Sequence, residues 1–343
     1  MQKAIVTGGA GFIGSNLVDR LINEKFDVIV IDNESAECNE KFYYNYKAKY
    51  YKIDIENYDE IEPLFKGVDY VFHLAAESRI QPTLEKPVKA CMTNYIGTCN
   101  ILEASRRNNV KRVMYSSTSS AYGLKNSIPL NESMHRDCLN PYSVTKVGAE
   151  DLCKMYYTLY GLECVIFRYF NVFGERQPLK GQYAPVVGLF LEMKKSGKPM
   201  TVVGDGLQTR DYIYVGDVVE ANVLAMKTNN KDAFGEIYNV GTGTHHSVLD
   251  LVGIIGGEHT HLPPREGEAR NTLADIGKIM LDLDWKPKVT IKEWIDNYIK
   301  NPILKRIKYL ESEIAAGGRL DGWSLKGAKK ELKEQNKKLE KYG

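Results

Sequence analysis

The 343-residue chain is long enough to bury a large core and to hold more than one folding unit, and 26% charged with 43% hydrophobic residues is an ordinary globular balance. A formal net charge of +2 provides no field that would make nucleic acid the main partner. No window approaches the roughly 18 consecutive apolar residues of a membrane span, and Gln2-Lys3-Ala4-Ile5-Val6 opens the chain without a leader pattern, so neither membrane insertion nor a targeting segment is expected.

In chain order, β-rich runs at Ala4–Thr7, Asp27–Asp32, Tyr50–Ile53, Tyr70–Leu74, Arg112–Ser116 and Cys164–Arg168 read as strands, and helical patterns at about 12–24, 58–66, 85–107 and 142–160 separate most of them. The runs are apolar throughout, as strands covered on both faces must be, and parallel neighbours need crossovers of this kind. The pattern predicts an α/β fold with a doubly wound parallel sheet. Beyond about residue 175, Gly181, Gly188, Gly197, Pro199, Gly204 and Gly206 punctuate shorter elements, as in a smaller region that caps a substrate. A strand-like run at Glu236–Val240 is placed to return to the sheet. Residues 301–343 carry eleven Lys/Arg against six Asp/Glu, so this tail is +5 and the rest of the chain −3.

Gly8-Gly9-Ala10-Gly11-Phe12-Ile13-Gly14 follows the first strand and opens the first helix. Absent side chains let backbone N–H groups approach a pyrophosphate at the positive end of that helix, and Gly14 permits close helix–sheet packing. A glycine pattern alone serves any tight turn; here the strand, the helix and an acid eighteen positions beyond Gly14 accompany it. That acid, Asp32, ends the second strand, where a carboxylate accepts from the adenosine ribose hydroxyls and repels a 2′-phosphate, favouring NAD over NADP. Asp54, followed by Ile55 at the end of the third strand, is placed to contact the adenine or to stand as a solvated turn acid.

Tyr142 and Lys146 form Y-x-x-x-K at the start of a predicted helix, a spacing that puts both side chains on one face. A phenol near its ordinary pKa of about 10 is a poor base, and a neighbouring ammonium favours its ionised form. Ser116-Ser117-Thr118 ends the fifth strand some 24 residues earlier, at the edge where doubly wound sheets bind ligands. A hydroxyl there can share a substrate proton with Tyr142, whereas turn chemistry explains Ser119 and Ser120 equally well.

At this point the sequence resembles the extended short-chain dehydrogenase/reductases, and among them the UDP-hexose 4-epimerases. TGGAGFIG (7–14), DN (32–33), DI (54–55), HLAAES (73–78), Asn94, SSTSSAYG (116–123), PYSVTK (141–146), RYFNVFGERQ (168–177), TRDYIYVGD (209–217) and REGEARNTLAD (265–275) carry the likeness in family order over about 300 residues. The resemblance implies a Rossmann unit over 1–175, a nucleotide-sugar region over 176–300, the tail over 301–343, retained NAD, a UDP-sugar substrate and a homodimer. It implies Thr118, Tyr142 and Lys146 as the catalytic set. Gly8, Gly11, Phe12, Ile13, Gly14, Asp32, Asn33, Asp54, Ile55, Leu74, Ala75, Ala76, Ser78, Asn94, Ser116 and Tyr169, with Tyr142 and Lys146, would line the cofactor. Ser78, Thr118, Asn171, Arg210, Arg265, Glu268 and Thr272 would hold the substrate, the arginines because a guanidinium fork matches diphosphate oxygens. Thr272 stands where these enzymes face the C2 substituent of the sugar, and a small residue there goes with N-acetylated substrates. Glu268 replaces the family's common Asp.

The same family includes 4,6-dehydratases and decarboxylases. A dehydratase needs an acid and a base directly after the threonine, where this chain has Ser119-Ser120. A non-catalytic NAD-binding scaffold is the remaining alternative, and it predicts damage to a Thr/Tyr/Lys set that is intact. In the tail, Ile303, Ile307, Leu310 and Ile314 form a helical stripe before Gly317-Gly318, and Leu325, Leu332 and Leu339 repeat at seven. This reads either as a dimer or partner helix or as a solvated charged segment. His259 and His261 lack a third ligand pattern and read as a polar loop rather than a metal site. Cys38, Cys91, Cys99, Cys138, Cys153 and Cys164 are scattered, as free thiols in a cytoplasmic protein are.

Overall fold

In the computed structural model the described residues are 1–36, 39, 41–179, 184–264, 269–315 and 325–340, and they divide into two compact units, Met1–Lys288 and Val289–Gly343. The first unit begins β1 (Lys3–Thr7), α1 (Phe12–Asn23), β2 (Asp27–Ile31), β3 (Lys49–Tyr51), α2 (Tyr58–Ile61), β4 (Tyr70–His73), α3 (Ile80–Glu85), α4 (Pro87–Cys91) and α5 (Gly97–Arg107). It continues through β5 (Arg112–Thr118), α6 (Pro141–Tyr160), β6 (Glu163–Tyr169), β7 (Asn171–Phe173), α7 (Val186–Lys195), β8 (Met200–Val203), β9 (Thr209–Arg210), β10 (Tyr212–Tyr214) and α8 (Val215–Lys227). The remaining elements are β11 (Ile237–Val240), β12 (His246–Ser247), α9 (Val248–Ile255), β13 (His259–Leu262) and α10 (Gly277–Leu283).

Seven strands form one sheet in the order β11-β6-β5-β4-β1-β2-β3, and every pair in it is parallel. Strand alternation divides the core between its faces. Ala4 and Val6 pack with Leu17, Leu21 and Val218 on the side of α1 and α8. Ile5 packs with Ile61, Ile101 and Cys153 on the side of α2, α5 and α6. The order reverses at β1, with β2 and β3 on one side and β4 onward on the other, and a cavity opens there beyond the carboxyl ends of the strands. Smaller two-stranded pairs, β10–β7, β12–β9 and β13–β8, lie outside this sheet, and Asn171, Thr201, Arg210, Tyr212 and Leu262 from them line the cavity.

Two helical expectations are refined by proline. The 58–66 helix is α-helical only to Ile61 and tightens to a 3₁₀ turn over Glu62–Phe65, at Pro63. The 85–107 stretch starts at Pro87, a residue suited to a first helical turn, and passes through a π-turn at Met92–Ile96 before α5. His259 and His261 are corrected from a loop to the exposed strand β13, paired in parallel with β8. Its register comes from backbone pairing with Met200–Val203, which a polar His-Thr-His-Leu run does not announce.

The second unit holds α11 (Ile291–Ala315) and α12 (Leu325–Glu340), and residue 300 lies inside α11, which continues through Pro302. Leu310 is buried against Ile314 and Leu332, and Arg306 forks onto Glu331 at 2.9 and 3.0 Å. Gly317 and Gly318 lie outside the described residues, as do Cys38 and Gly181.

Candidate active site

The cavity encloses about 730 Å³. Gly8, Gly11, Phe12, Ile13, Gly14, Asp32, Asn33, Ile55, Leu74, Ala75, Ala76 and Ser78 line one end of it, and Ser116, Thr118, Tyr142, Lys146, Tyr169, Asn171, Arg210 and Thr272 line the other.

The glycine loop fits a dinucleotide. A Cβ on Gly14 would sit 2.2 Å from the Gly8 carbonyl oxygen, so only glycine lets α1 start this close to the loop. On Gly11 the added carbon would meet little protein, the Gly8 oxygen at 3.4 Å and Asn39 Nδ2 at 3.8 Å; it would instead fill cavity space at a helix start with no side-chain cap. That is space for a phosphate held by backbone N–H groups. Asp32 accepts from the N–H of Ala10 at 3.0 Å and of Glu34 at 2.8 Å, which ties the loop to the end of β2. Burial nevertheless pushes its carboxyl above the ordinary value, a cost that ribose hydroxyl donors would relieve.

Two expected cofactor residues stand behind the wall rather than on it. Asp54 accepts from Asn33 Nδ2 at 2.9 Å and Lys89 Nζ at 3.2 Å, so it fixes Asn33, which does line the cavity. Asn94 is buried in the π-turn; its Oδ1 accepts from Glu77 N at 2.8 Å, and its Nδ2 donates to Glu77 O at 3.1 Å and Thr145 Oγ1 at 3.0 Å. It holds the 74–78 segment in place from below.

The chemistry gathers at the start of α6. Asn140 caps the helix by accepting from Ser143 N at 2.9 Å, and Ser143 Oγ accepts from Asn140 N at 3.3 Å. With Pro141 in the first turn, this capping box fixes where Tyr142 projects. Tyr142 and Thr118 line the cavity together, and the Thr118 side chain favours the ionised form of the phenol. The Thr118 oxygen accepts from Ser120 N at 3.1 Å, which leaves its O–H as the group able to donate. Lys146 follows one turn later, buried, with its Nζ 4.4 Å from the centre of the Tyr115 ring. Burial lowers its pKa to about 7.

This differs from the electrostatics expected of Y-x-x-x-K. Burial pushes the Tyr142 phenol upward, with Thr118 and the charge of Arg79 opposing it, and the same burial pushes the Lys146 amine down. The amine is desolvated against an aromatic face, a setting that spacing along a helix does not reveal.

Ser116 Oγ donates to Tyr169 Oη at 3.1 Å and Asn222 Nδ2 donates to the same oxygen at 2.7 Å; burial pushes the Tyr169 phenol up to about 12. Asp211 organises the substrate side. Its buried carboxylate accepts from Thr242 N and Oγ1 at 2.7 and 2.8 Å, Gly243 N at 3.0 Å and Ala274 N at 3.1 Å. Its backbone accepts from Asn171 Nδ2 at 3.1 Å and donates to Thr272 Oγ1 at 3.4 Å. Asn171, Arg210 and Thr272 are thereby held on one wall. Arg265 and Glu268 lie outside the described residues. Sequence reading missed Asp211, Arg79, Gln208 and Tyr212; the last three line the cavity, Tyr212 within the TRDYIYVGD motif and Arg79 and Gln208 just outside the motifs. Among the described residues no group of three or more His, Cys, Asp or Glu is placed to hold a metal ion.

The family described as the NAD dependent epimerase/dehydratase family matches residues 4–241. The UDP-glucose 4-epimerase of Mycolicibacterium smegmatis is 35% identical over 312 residues, covering 86% of this chain and 96% of that protein. The crystal structure of Thermotoga maritima UDP-glucose 4-epimerase with UDP-glucose superposes with a TM-score of 0.80 at 36% identity, over 86% of this chain and 96% of that one. UDP-N-acetylglucosamine 4-epimerase from Methanobrevibacter ruminantium, in complex with UDP-N-acetylmuramic acid, also gives 0.80, at 32% identity over 88% and 99%. With its seven-stranded sheet, glycine loop and Thr118/Tyr142/Lys146 set, the chain belongs to the NAD dependent epimerase/dehydratase family.

Proposed function

We propose that the protein is a UDP-hexose 4-epimerase with retained NAD, and that its preferred pair is UDP-N-acetylglucosamine and UDP-N-acetylgalactosamine. The observation that carries the activity is that Thr118, Tyr142 and Lys146 line the same cavity as the Gly8–Gly14 loop, which fits a dinucleotide. NAD, when bound, supplies reversible two-electron chemistry at the sugar carbon. The Gly8–Gly14 loop would hold its pyrophosphate, Asp32 its adenosine ribose, and Lys146 and Tyr142 its nicotinamide end.

The chain's own residues handle protons and position. Tyr142 takes the O4 proton of the hexose and later returns it, while Thr118 shares that proton through its hydroxyl. Asn171 and Arg210 hold the nucleotide, joined by Arg265 and Glu268. The carboxylates among the described cavity-lining residues are Asp32, at the cofactor loop, and Glu77. Ser119 and Ser120 form the 3₁₀ turn after Thr118, so that segment carries no acid for an elimination. This favours epimerisation over dehydration.

Thr272 supports the sugar assignment. It lines the cavity on the Asp211 wall, it is small, and the neighbouring enzyme from M. ruminantium is named for the N-acetylated sugar. Thr272→Tyr fills the space beside C2 and should abolish conversion of the N-acetylated pair while leaving UDP-glucose and UDP-galactose within a few-fold. Equal losses for both pairs would remove Thr272 from the sugar site.

Exposed Val88, Met92, Tyr95 and Ile96 on α4 and the π-turn lie next to α6, where Val144 and Leu159 are also exposed, and the Tyr95 ring lies against Gly148. An apolar face of this kind supports a homodimer, which sedimentation of the purified protein would detect. Cys91, Cys99, Cys138, Cys153 and Cys164 are free thiols, which supports a cytoplasmic location. No helix among the described residues is long and apolar enough to cross a membrane.

A further inference from the structure

Extended chain turns alternate side chains opposite ways, and the segment around Arg210 shows it. Gln208, Arg210 and Tyr212 line the cavity, while Thr209 and Asp211 between them turn to other partners. Thr209 Oγ1 meets His245 Nδ1 at 3.1 Å, and the Asp211 carboxylate takes Thr242, Gly243 and Ala274. Tyr212 is only 3% exposed, yet its Oη is buried with no hydrogen-bond partner among the described residues. Gln208 Nε2 donates to Val203 O at 2.9 Å, which orients the amide and leaves Oε1 buried, likewise without a partner. A buried polar atom left unmade is costly, and phenylalanine would fill the space of Tyr212 without that cost. Two orphaned oxygens thus flank a guanidinium on one face of a cavity wall.

We propose that Gln208 and Tyr212 bind the nucleoside diphosphate of the substrate, Tyr212 Oη donating to a diphosphate oxygen and Gln208 Oε1 accepting from the nucleoside. This rests on the reading of the substrate as a UDP-hexose. Burial pushes the Tyr212 phenol well above its ordinary value, so the group stays protonated and can donate to an anionic oxygen. Tyr212 stands in register with Asn171 across β10 and β7, which places it on the wall that also carries Arg210. Gln208 lies at the other end of the segment. There Val248 N donates to the Gln208 carbonyl at 3.2 Å, and Val203 is in register with Leu262. Val203, Val248 and Leu262 line the cavity beside it and offer apolar surface for a flat base. The segment therefore presents an acceptor, a cation and a donor in order, and a nucleoside diphosphate supplies a partner for each.

The test titrates UDP and CDP into NAD-loaded wild type, Tyr212→Phe and Gln208→Met by calorimetry, and follows thermal unfolding of each protein without added nucleotide. Tyr212→Phe should weaken UDP about tenfold. It should leave the unfolding midpoint unchanged or raised, because the hydroxyl it removes has no protein partner. Gln208→Met should weaken UDP about fivefold or more. An effect confined to UDP assigns that contact to the N–H of the base, and an equal effect on CDP assigns it to a ribose hydroxyl. On whichever UDP-hexose the wild type converts, both variants should raise KM and leave kcat within about twofold. Unchanged UDP affinity in either variant, a lowered midpoint in Tyr212→Phe, or a loss confined to kcat would overturn the proposal. A wild type that binds no UDP would overturn the UDP-hexose reading and the proposal with it. A wild type that binds UDP but converts no UDP-hexose would overturn the epimerase reading, and the UDP titrations would still decide the roles of Gln208 and Tyr212.

Discussion

Lys146 shows how a catalytic residue is held at the expense of stability. Its amine is buried, and its pKa falls to about 7 in the folded chain against an ordinary value near 10.5. The unfolded chain therefore binds the proton more tightly, so the cost to folding is full at and below about pH 7 and fades as pH rises toward about 10.5. Lys146→Met keeps the volume and removes the buried amine. In cofactor-free protein it should raise stability at neutral pH, with a gain that shrinks at alkaline pH, while turnover of the loaded enzyme is lost. Urea unfolding at two pH values checks the first part and a product assay the second. A variant less stable than wild type at neutral pH would show that Lys146 stabilises the fold. Y-x-x-x-K made this lysine legible in the sequence, but not its proton affinity, which depends on the aromatic face of Tyr115.

At the scale of elements, the site depends on how β5, β6 and α6 are locked together. Along β5, alternate residues turn opposite ways: Ser116 donates to Tyr169 on β6, while Ser117 donates to Glu150 on α6 at 2.6 Å. Glu150 is fully buried, takes a two-point hydrogen bond from Arg168 of β6, and has Arg136 at 3.7 Å. Removing one member of a buried pair strands the other. Glu150→Ala should therefore cost about 3–5 kcal/mol, measured by urea unfolding. The double variant Glu150→Met/Arg168→Met should recover much of that loss. A single substitution costing under about 1 kcal/mol would place the ion pair outside the stabilising contacts. Eighteen residues separate the partners, so no local spacing announces the pair. The long apolar strands and the glycine-started α1 were legible because each is set by its own residues. β9 and β12, of two residues each, exist through pairing with distant segments and were not.

In the molecule as a whole, the two ends of the cavity differ in how clearly the sequence announced them. The glycine-loop end is built from contiguous segments, 8–14, 32–33 and 74–78, each following the end of one strand, and residues of all three segments line the cavity. Asp54 and Asn94 moved behind the wall because a contact between distant segments decides which side of a loop faces inward. The substrate end is assembled around Asp211 from segments 171, 209–212, 242–243 and 272–274, and although Asp211 lies within TRDYIYVGD, the motif does not reveal the contacts that make it the organising residue. The account's central claim is that these two ends together perform 4-epimerisation of a UDP-hexose. The most direct measurement incubates the purified protein, without added oxidant or reductant, with UDP-glucose, UDP-galactose and their N-acetylated forms, and resolves the products. The account predicts that at least the N-acetylated pair interconverts to one constant ratio approached from either epimer. Unchanged sugars in all four incubations, or a dehydrated or decarboxylated product in place of the C4 epimer, would contradict it.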